Sequence, residues 1–319
     1  MSLTPRELQQ ALVGPVLTLI TPFSGPDLAV DLEGLRRNTR WVIDRGFVTG
    51  AGTLVVGGSN GEGYALSDDE RRAVIKAVAE EAHGEVPVIA GINHTSTQAA
   101  IALARYAEEV GADGVMSTPP FYLEPSSADM ERYYTALAQS IGIGIMIYDI
   151  AEVAKTGVGV DTLAALCRLE NIVSLKAGGP DIAGYLNKIQ LFGDRLAFAT
   201  NDANPLIVLT GYFWGAGAHI SAQGNWNPAA ELALADAARR GDWDAARAIA
   251  RTRLKPVVDL SEEIIARKGA NAWVSLLQAA TAAVGNAGGT PRPPCAPLDA
   301  EDRRRLAAAL RATDVPVLD

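Results

Sequence analysis

The sequence predicts a closed eight-stranded βα barrel (a TIM barrel) with a helical extension at its C-terminal end. Eight short apolar segments alternate with helical segments over about the first 220 residues, and each is apolar enough for a strand buried on both faces. An open doubly wound sheet is disfavoured, because no GxGxxG turn follows the first strand. Beyond Asn227 helical segments follow one another without strands. We therefore expect a barrel over residues 1–226 and a helical extension packed on it over 227–319.

Turn and cap signals place the elements in order. Asp31 is a helix cap, Gly46 closes that helix, and Ser67-Asp68-Asp69-Glu70 is a capping box that opens the next helix. Strands are predicted at 16–22, 53–58, 87–93, 114–118, 144–150, 172–176, 196–199 and 218–221. Helices are predicted between them, and then at 228–253, 256–265, 270–284 and 300–312.

Composition excludes several classes of protein. A net charge of −9 and a pI near 5.0 argue against a nucleic-acid or anionic-membrane surface. Two cysteines, Cys167 and Cys295, predict neither a disulfide framework nor a thiolate metal cluster, and a total of three histidines argues against a histidine-rich metal site. The first residues lack the pattern of a signal peptide, and no apolar run reaches membrane-spanning length. These observations predict a cytoplasmic protein.

One lysine stands at the end of a predicted buried strand. The run Ile172-Val173-Ser174-Leu175 ends in Lys176, and Gly178-Gly179-Pro180 stops it. A buried ammonium is costly unless it is solvated, paired or deprotonated, and a lysine that loses its proton readily forms Schiff bases with carbonyl substrates. The alternative is a lysine whose stem packs while its amine reaches water.

Polar side chains also follow the other predicted strands. Because the active site of such a barrel lies at the C-terminal ends of its strands, these side chains are expected on one face around Lys176. The Gly-flanked Ser-Asn turn offers N–H groups, a hydroxyl and an amide to a carboxylate, and a tyrosine can shuttle protons. The candidates at the strand ends are Gly58, Ser59, Asn60, His94, Tyr122, Tyr148 and Ser221. For His94 the alternative is a loop histidine bonded to nearby backbone.

Four segments in this order resemble the dihydrodipicolinate synthase / N-acetylneuraminate lyase family of class I aldolases. They are GGSNGE, TPPFY, YDIAEVAKTG and IVSLK, and the C-terminal LDAEDRRRLAAAL is also similar. The resemblance covers nearly the whole chain. It implies that Lys176 forms an imine with a 2-oxo acid such as pyruvate, with Tyr148 as the general acid/base beside it. No metal or organic cofactor is implied.

The resemblance also assigns the remaining residues. Ser59 and Asn60, with their backbone amides, are expected to hold the substrate carboxylate. Ser59 is expected to link Tyr148 to Tyr122, which in relatives reaches in from a neighbouring subunit. A homotetramer built as a dimer of dimers is implied, and Glu62 is expected to brace the loop.

Departures from the family pattern bear on the substrate. Dihydrodipicolinate synthases have two threonines at the positions of Ser59 and Asn60, and an arginine where this chain has Lys155. The usual Tyr-Asn is Tyr148-Asp149 here, and Ala177 replaces a frequent acidic residue. The Ser-Asn loop resembles that of 4-hydroxy-2-oxoglutarate aldolases and some deoxy-sugar-acid aldolases.

The sequence therefore predicts a Schiff-base lyase that breaks or makes a C–C bond beside a pyruvate unit, on a 4-hydroxy-2-oxo acid or deoxy-sugar acid. Its expected partners are a small 2-oxo acid and an aldehyde, with no nucleic acid and no membrane. Lys155, His94 and Ser221 are additional substrate-binding candidates. The alternatives are dihydrodipicolinate synthase or an imine-based dehydratase and, from another class, a non-catalytic 2-oxo acid sensor. The retained pair Lys176 and Tyr148 argues against the sensor.

Overall fold

The computed structural model describes residues 2–179 and 181–318, and it confirms the predicted barrel. Eight parallel strands pair in chain order, and the last strand pairs with the first to close the sheet. The barrel strands are β1 (Gly14–Thr18), β2 (Thr53–Val56), β3 (Val88–Gly91), β4 (Gly114–Ser117), β5 (Gly144–Tyr148), β6 (Ile172–Ala177), β7 (Ala197–Thr200) and β8 (Ala218–Ser221).

Helices lie between the strands and continue after them. In the described part of the chain they are α1 (Pro5–Ala11), α2 (Leu32–Ile43), α3 (Asp68–Ala82), α4 (Thr97–Glu109), α5 (Ser127–Ala138), α6 (Ala151–Ala154), α7 (Val160–Leu166), α8 (Ile182–Phe192), α9 (Pro205–Phe213), α10 (Pro228–Arg239), α11 (Trp243–Ile249), α12 (Lys255–Lys268), α13 (Ala272–Ala283) and α14 (Ala300–Ala312). Among these residues no helix is long and apolar enough to cross a membrane.

The predicted caps are confirmed. The Asp31 carboxylate accepts a hydrogen bond from the Gly34 N–H at 2.8 Å, and Ser67 and Glu70 form the reciprocal capping box of α3. Gly46 has φ +102°, a conformation that glycine adopts without the steric cost of a Cβ. These helix ends are therefore predicted correctly from local sequence signals.

The N-terminal end of the barrel is filled by α1. Leu8 and Leu12 are buried in the interior cluster together with inward-facing strand residues such as Val16. A Cβ at Gly114 or Gly144 would lie 2.6 or 2.7 Å from a Leu8 methyl carbon, so glycine is needed at both positions for Leu8 to fit. This end of the barrel is a packed core, and the polar side chains collect at the opposite end.

A bulge in β6 sets the direction of its side chains. Ile145 pairs with Ile172, but Met146 pairs with Ser174, so Val173 is an extra residue in the ladder. Beyond the bulge Lys176 pairs with Tyr148, whose ring belongs to the interior cluster. The bulge therefore brings the lysine next to the tyrosine.

The helices α12, α13 and α14 form a wall over the C-terminal mouth of the barrel. α12, α13 and α14 share an apolar cluster with Ile20 and Trp226, residues that lie just beyond β1 and β8. α10 packs against α9 and β1, in the place of the eighth outer helix. The division of the chain at Asn227 into barrel and extension stays a prediction.

Several details of the fold differ from the sequence predictions. The first strand is Gly14–Thr18 and not 16–22, and the π-helix Ala250–Leu254 joins α11 to α12 where the sequence predicted a break between 253 and 256. The segment 228–253, predicted as one helix, breaks between α10 and α11 at Gly241, which has φ +72°. A two-stranded antiparallel hairpin, Phe23–Ser24 with Ala29–Val30, was not predicted, because strands of two residues carry no periodic signal.

Candidate active site

Lys176 lies inside the mouth of the barrel and is only 3% exposed. Its Nζ is 3.5 Å from the centre of the Tyr148 ring, and the tyrosine is buried as well. Burial disfavours the charged ammonium and lowers the pKa of Lys176 to about 7. An amine with this pKa is about half unprotonated at pH 7, whereas an ordinary lysine is unprotonated in roughly one molecule in 2,500.

The glycine-rich loop after β2 presents Ser59 and Asn60 to the same space. Gly63 approaches the loop so closely that a Cβ there would lie 2.1 Å from the Gly57 carbonyl oxygen. The Gly63 N–H donates to the Gly58 carbonyl at 3.1 Å, and the Glu62 N–H donates to the Ser59 carbonyl at 3.1 Å. These two bonds close the loop into a compact turn.

Hydrogen bonds between the ends of neighbouring strands orient Asn60. Its side-chain amide donates to the Thr18 hydroxyl at the end of β1, and that hydroxyl donates to the Ser221 carbonyl of β8 at 3.0 Å. The Ser221 hydroxyl accepts from the Gly224 N–H at 3.0 Å. Ser221 is thus part of the support beneath Asn60.

Glu62 ties the loop to the helical wall. It is fully buried, with a left-handed φ of +51°, and its carboxylate accepts hydrogen bonds from Gln278 Nε2 at 2.9 Å and from the Arg292 N–H at 3.1 Å. Burial raises the pKa of Glu62, while these two donors and the Arg292 charge oppose the rise. The contacts support the bracing role predicted for this residue.

A cavity of about 310 Å³ brings part of the predicted group together. Lys176, Tyr148, Ser59 and Asn60 line it. The other candidates, Gly58, Tyr122, Lys155, His94 and Ser221, are not among the described residues that line it. The predicted roles of both groups stay predictions.

Tyr122 and Lys155 contact each other at the surface of the subunit. The Tyr122 residue is 75% exposed, and its carbonyl accepts a hydrogen bond from Lys155 Nζ at 2.8 Å. Lys155 is exposed and has a left-handed φ of +64°. Neither side chain reaches the cavity within this chain, an arrangement compatible with the prediction that Tyr122 serves a neighbouring subunit.

His94 makes local contacts. Its Nδ1 accepts a hydrogen bond from the Ser96 N–H at 3.0 Å, and its Nε2 lies 3.8 Å from an Asp68 carboxylate oxygen. The structure thus favours the alternative of a loop histidine that satisfies nearby backbone.

Several lining residues were not predicted. Asn201 and Asp202 follow β7 directly, so the rule that active-site residues stand at strand ends would have found them. Trp226, Val257 and other residues of the helical wall also line the cavity, but no strand end marks them in the sequence.

A buried polar chain behind β8 was also missed. The Tyr212 hydroxyl is 2.8 Å from His219 Nδ1, and His219 Nε2 is 2.6 Å from a Glu231 carboxylate oxygen. Both His219 and Glu231 line the cavity. The three residues of this polar chain come from α9, β8 and α10, and the sequence alone does not show that these elements meet.

The described residues contain no group of three or more histidine, cysteine, aspartate or glutamate side chains that could hold a metal ion.

A buried ion pair lies next to Tyr148. Lys188 of α8 contacts the Asp149 carboxylate at 2.6 Å, next to Tyr148 in the chain, and the same carboxylate accepts the Val158 N–H at 2.9 Å.

Comparison with known proteins decides the family. The model of the Dihydrodipicolinate synthetase family matches residues 11–313. The chain belongs to this family. As members of it are class I aldolases and lyases, the protein is a lyase-type enzyme.

Relatives in the dihydrodipicolinate synthetase family align over most of their length. The chain is 32% identical over 239 residues to the 4-hydroxy-tetrahydrodipicolinate synthase of Methanothermobacter thermautotrophicus, which covers 73% of this chain and 81% of that protein. It is 35% identical over 252 residues to the enzyme of the same name from Rhodopseudomonas palustris, covering 78% and 81%. The crystal structure of dihydrodipicolinate synthase from Aquifex aeolicus superposes with a TM-score of 0.85 at 27% identity, covering 97% of this chain and 100% of that chain.

Proposed function

We infer that the protein is a Schiff-base lyase that makes or breaks a C–C bond next to a pyruvate-type 2-oxo acid, of the kind that acts on 4-hydroxy-2-oxo acids or deoxy-sugar acids. The observation that carries this inference is the buried Lys176 amine, with a pKa of about 7, against the Tyr148 ring. Family membership supports it.

In this mechanism Lys176 Nζ attacks the C2 carbonyl carbon of the 2-oxo acid, and loss of water leaves a protonated imine. In the cleavage direction a base removes the proton of the C4 hydroxyl, the C3–C4 bond breaks, and its electron pair moves into the imine to give an enamine. We assign the transfer of this proton to Tyr148, whose ring lies against the Lys176 amine. Protonation of C3 and hydrolysis by water then release pyruvate and the free lysine.

The substrate carboxylate is assigned to the Gly58-Ser59-Asn60 turn. Asn60 is fixed by Thr18, and Glu62 holds the turn against the helical wall, so the loop is ordered before the substrate arrives. The imine needs no metal or organic cofactor in this proposal.

We also assign Ser59 and Tyr122 to a proton path that reaches Tyr148 from a neighbouring subunit, within a cytoplasmic homotetramer built as a dimer of dimers. The exposure of Tyr122 and Leu123, 75% and 76%, supports an interface on that face. Sedimentation of the wild-type protein and of Tyr122→Ala tests the assembly. A wild-type monomer with full activity would contradict it.

Reductive trapping tests the imine. Borohydride added with pyruvate should fix an adduct, and mass spectrometry should find the added mass on the peptide that contains Lys176. Lys176→Ala should lose the adduct, while Lys155→Ala should retain it. Absence of an adduct, or an adduct on Lys155 or Lys188, would refute the assignment.

The second candidate function is 4-hydroxy-tetrahydrodipicolinate synthase itself, because the curated relatives carry that name. Against it stands Lys155 in place of arginine, since a lysine is a point charge whereas an arginine grips a carboxylate with two hydrogen bonds. A coupled assay with pyruvate and aspartate semialdehyde separates the two. Turnover equal to that with the best aldol substrate would favour the synthase.

A further inference from the structure

The cavity that contains Lys176 extends from the barrel into the helical wall. Its far part, which we call the apolar arm, is lined by apolar side chains that are all at most 7% exposed. They are Trp226, Leu254, Val257, Val258, Leu276 and Leu277. A substrate bound through its carboxylate and C2 at the barrel end therefore has apolar space for the remainder of its structure.

The charges along the cavity disfavour an anion in this arm. Beyond Lys176, the ionisable lining residues in the described chain are Tyr148, Asp202, His219, Glu231 and Glu262. His219 is bound to Glu231 at 2.6 Å, and neither an arginine nor a second lysine is among them. Burial raises the pKa of Asp202. A second carboxylate on the substrate would meet no cationic partner here and would lose its hydration.

Two buried polar atoms of the lining residues have no hydrogen-bond partner within the described chain: Trp226 Nε1, a donor, and Gln223 Oε1, an acceptor. Gln223 Nε2 donates to the Leu254 carbonyl at 3.4 Å, which assigns the opposite end of the amide as the oxygen. A hydroxyl group both donates and accepts, so a hydroxyl is chemically complementary to a donor such as Trp226 Nε1 and to an acceptor such as Gln223 Oε1.

We propose that the carbonyl compound that this enzyme joins to or releases from pyruvate is an uncharged aldehyde with an apolar chain or ring and a hydroxyl group. The apolar part lies in the apolar arm, and the hydroxyl pairs with Trp226 and Gln223. This proposal rests on the Schiff-base function above. In the synthetic direction the enamine C3 forms a bond to the aldehyde carbon, the aldehyde oxygen takes up one proton, and hydrolysis of the imine releases a 4-hydroxy-2-oxo acid.

The experiment compares benzaldehydes that differ in charge and in the presence of a hydroxyl group, with pyruvate as the common partner. Benzaldehyde, its 3- and 4-hydroxymethyl derivatives, 3- and 4-carboxybenzaldehyde and 4-(trimethylammonio)benzaldehyde are suitable, with aspartate semialdehyde as an acidic aliphatic reference. We expect kcat/KM for the uncharged aldehydes to exceed that for the carboxylated ones by at least about tenfold, and the better hydroxymethyl isomer to rank first. A carboxylated or cationic aldehyde at the head of the ranking would overturn the proposal.

Trp226→Phe sharpens the test, because it keeps an aromatic ring and removes the N–H donor. The kcat/KM ratio of the better hydroxymethyl isomer to benzaldehyde should fall about fivefold. Trp243→Phe makes the same chemical change in α11, outside the cavity, and should leave the ratio as in the wild type. An unchanged ratio in Trp226→Phe would overturn the hydroxyl assignment.

Trapping of pyruvate with borohydride on the same preparations keeps the two proposals distinguishable. If the wild type forms no imine, the Schiff-base function fails and this inference fails with it. If the imine forms on Lys176 but acidic aldehydes are preferred, only the substrate class is wrong.

Discussion

The two ends of the cavity are held by different forces. At the barrel end Asn60, Thr18 and Ser221 form a hydrogen-bonded series, and Glu62 is bound to Gln278 and to the Arg292 backbone. In the apolar arm Trp226, Val257 and their neighbours are fixed by packing. Hydrogen bonds fix atoms in direction, whereas apolar packing fixes mainly volume. The barrel end is therefore suited to chemistry that needs exact orientation, and the apolar arm can change its occupant without disturbing that chemistry.

Replacement of Lys176 should have the largest effect at the barrel end. Lys176→Met removes the nucleophile and should lower kcat by at least about a thousandfold. The same variant should be more stable than the wild type at pH 7, by about 2–4 kcal/mol, because a buried amine with a depressed pKa costs folding free energy that methionine does not.

Activity assays and urea unfolding measure the two effects. Lys76→Met, which changes an exposed lysine of α3, is the control and should alter neither quantity appreciably. A variant of Lys176 that is less stable than the wild type would contradict the argument from burial.

The pH dependence should report the same lysine. With a pKa of about 7, the fraction of free amine rises about tenfold between pH 6 and pH 8 and then levels off, whereas an ordinary lysine would gain about a hundredfold without levelling. The initial rate of pyruvate trapping with cyanoborohydride should therefore rise about tenfold between pH 6 and pH 8 and then level off.

The free energy of unfolding should also depend on pH through Lys176. Between about pH 7 and 10.5 the unfolded chain carries the proton that folded Lys176 has lost, so this group makes stability rise with pH there. The rise should be absent in Lys176→Met. A trapping rate that keeps rising through pH 9 would show that the amine has an ordinary pKa.

Glu62→Gln tests the connection between the two ends. The glutamine side chain places an N–H₂ group where one of the carboxylate oxygens accepts a hydrogen bond, so one donor, Gln278 or the Arg292 N–H, loses its acceptor. We expect a loss of about 1–3 kcal/mol in stability and a higher KM for pyruvate. Glu80→Gln, on the exposed face of α3, is the control. Wild-type stability and KM would show that the bracing is dispensable.

Thr18→Val should have the smallest effect. It keeps the shape of the side chain but removes the hydroxyl between Asn60 and the Ser221 carbonyl. The KM for pyruvate should rise several-fold, with kcat changed by less than about threefold, because the orientation of Asn60 acts on binding of the carboxylate. Steady-state kinetics measures both. A fall in kcat with constant KM would assign Thr18 to the chemical step instead.

The sequence predicts more of the barrel end of the cavity than of the apolar arm. The barrel, its caps and the meeting of Lys176 with Tyr148 follow from strand periodicity and from the rule that strand ends converge, which are local signals. The apolar arm does not follow, because Trp226 and Val257 look like any core residues until the helices are placed. The same holds for the Tyr212–His219–Glu231 chain, whose members lie on three elements. His94 follows the third strand and Lys155 follows α6, yet the contacts of His94 are with local backbone and those of Lys155 are at the surface.

The bulge at Val173 determines which residues of β6 face the inside of the barrel. Side chains alternate between the two faces of a strand, so the face on which Lys176 emerges depends on the number of residues before it. Loss of one residue there would leave the composition of the strand almost unchanged and still turn the amine toward the outer helices. Point substitutions in this stretch vary the surroundings of the lysine gradually, whereas a change in strand length removes it from the site in a single step.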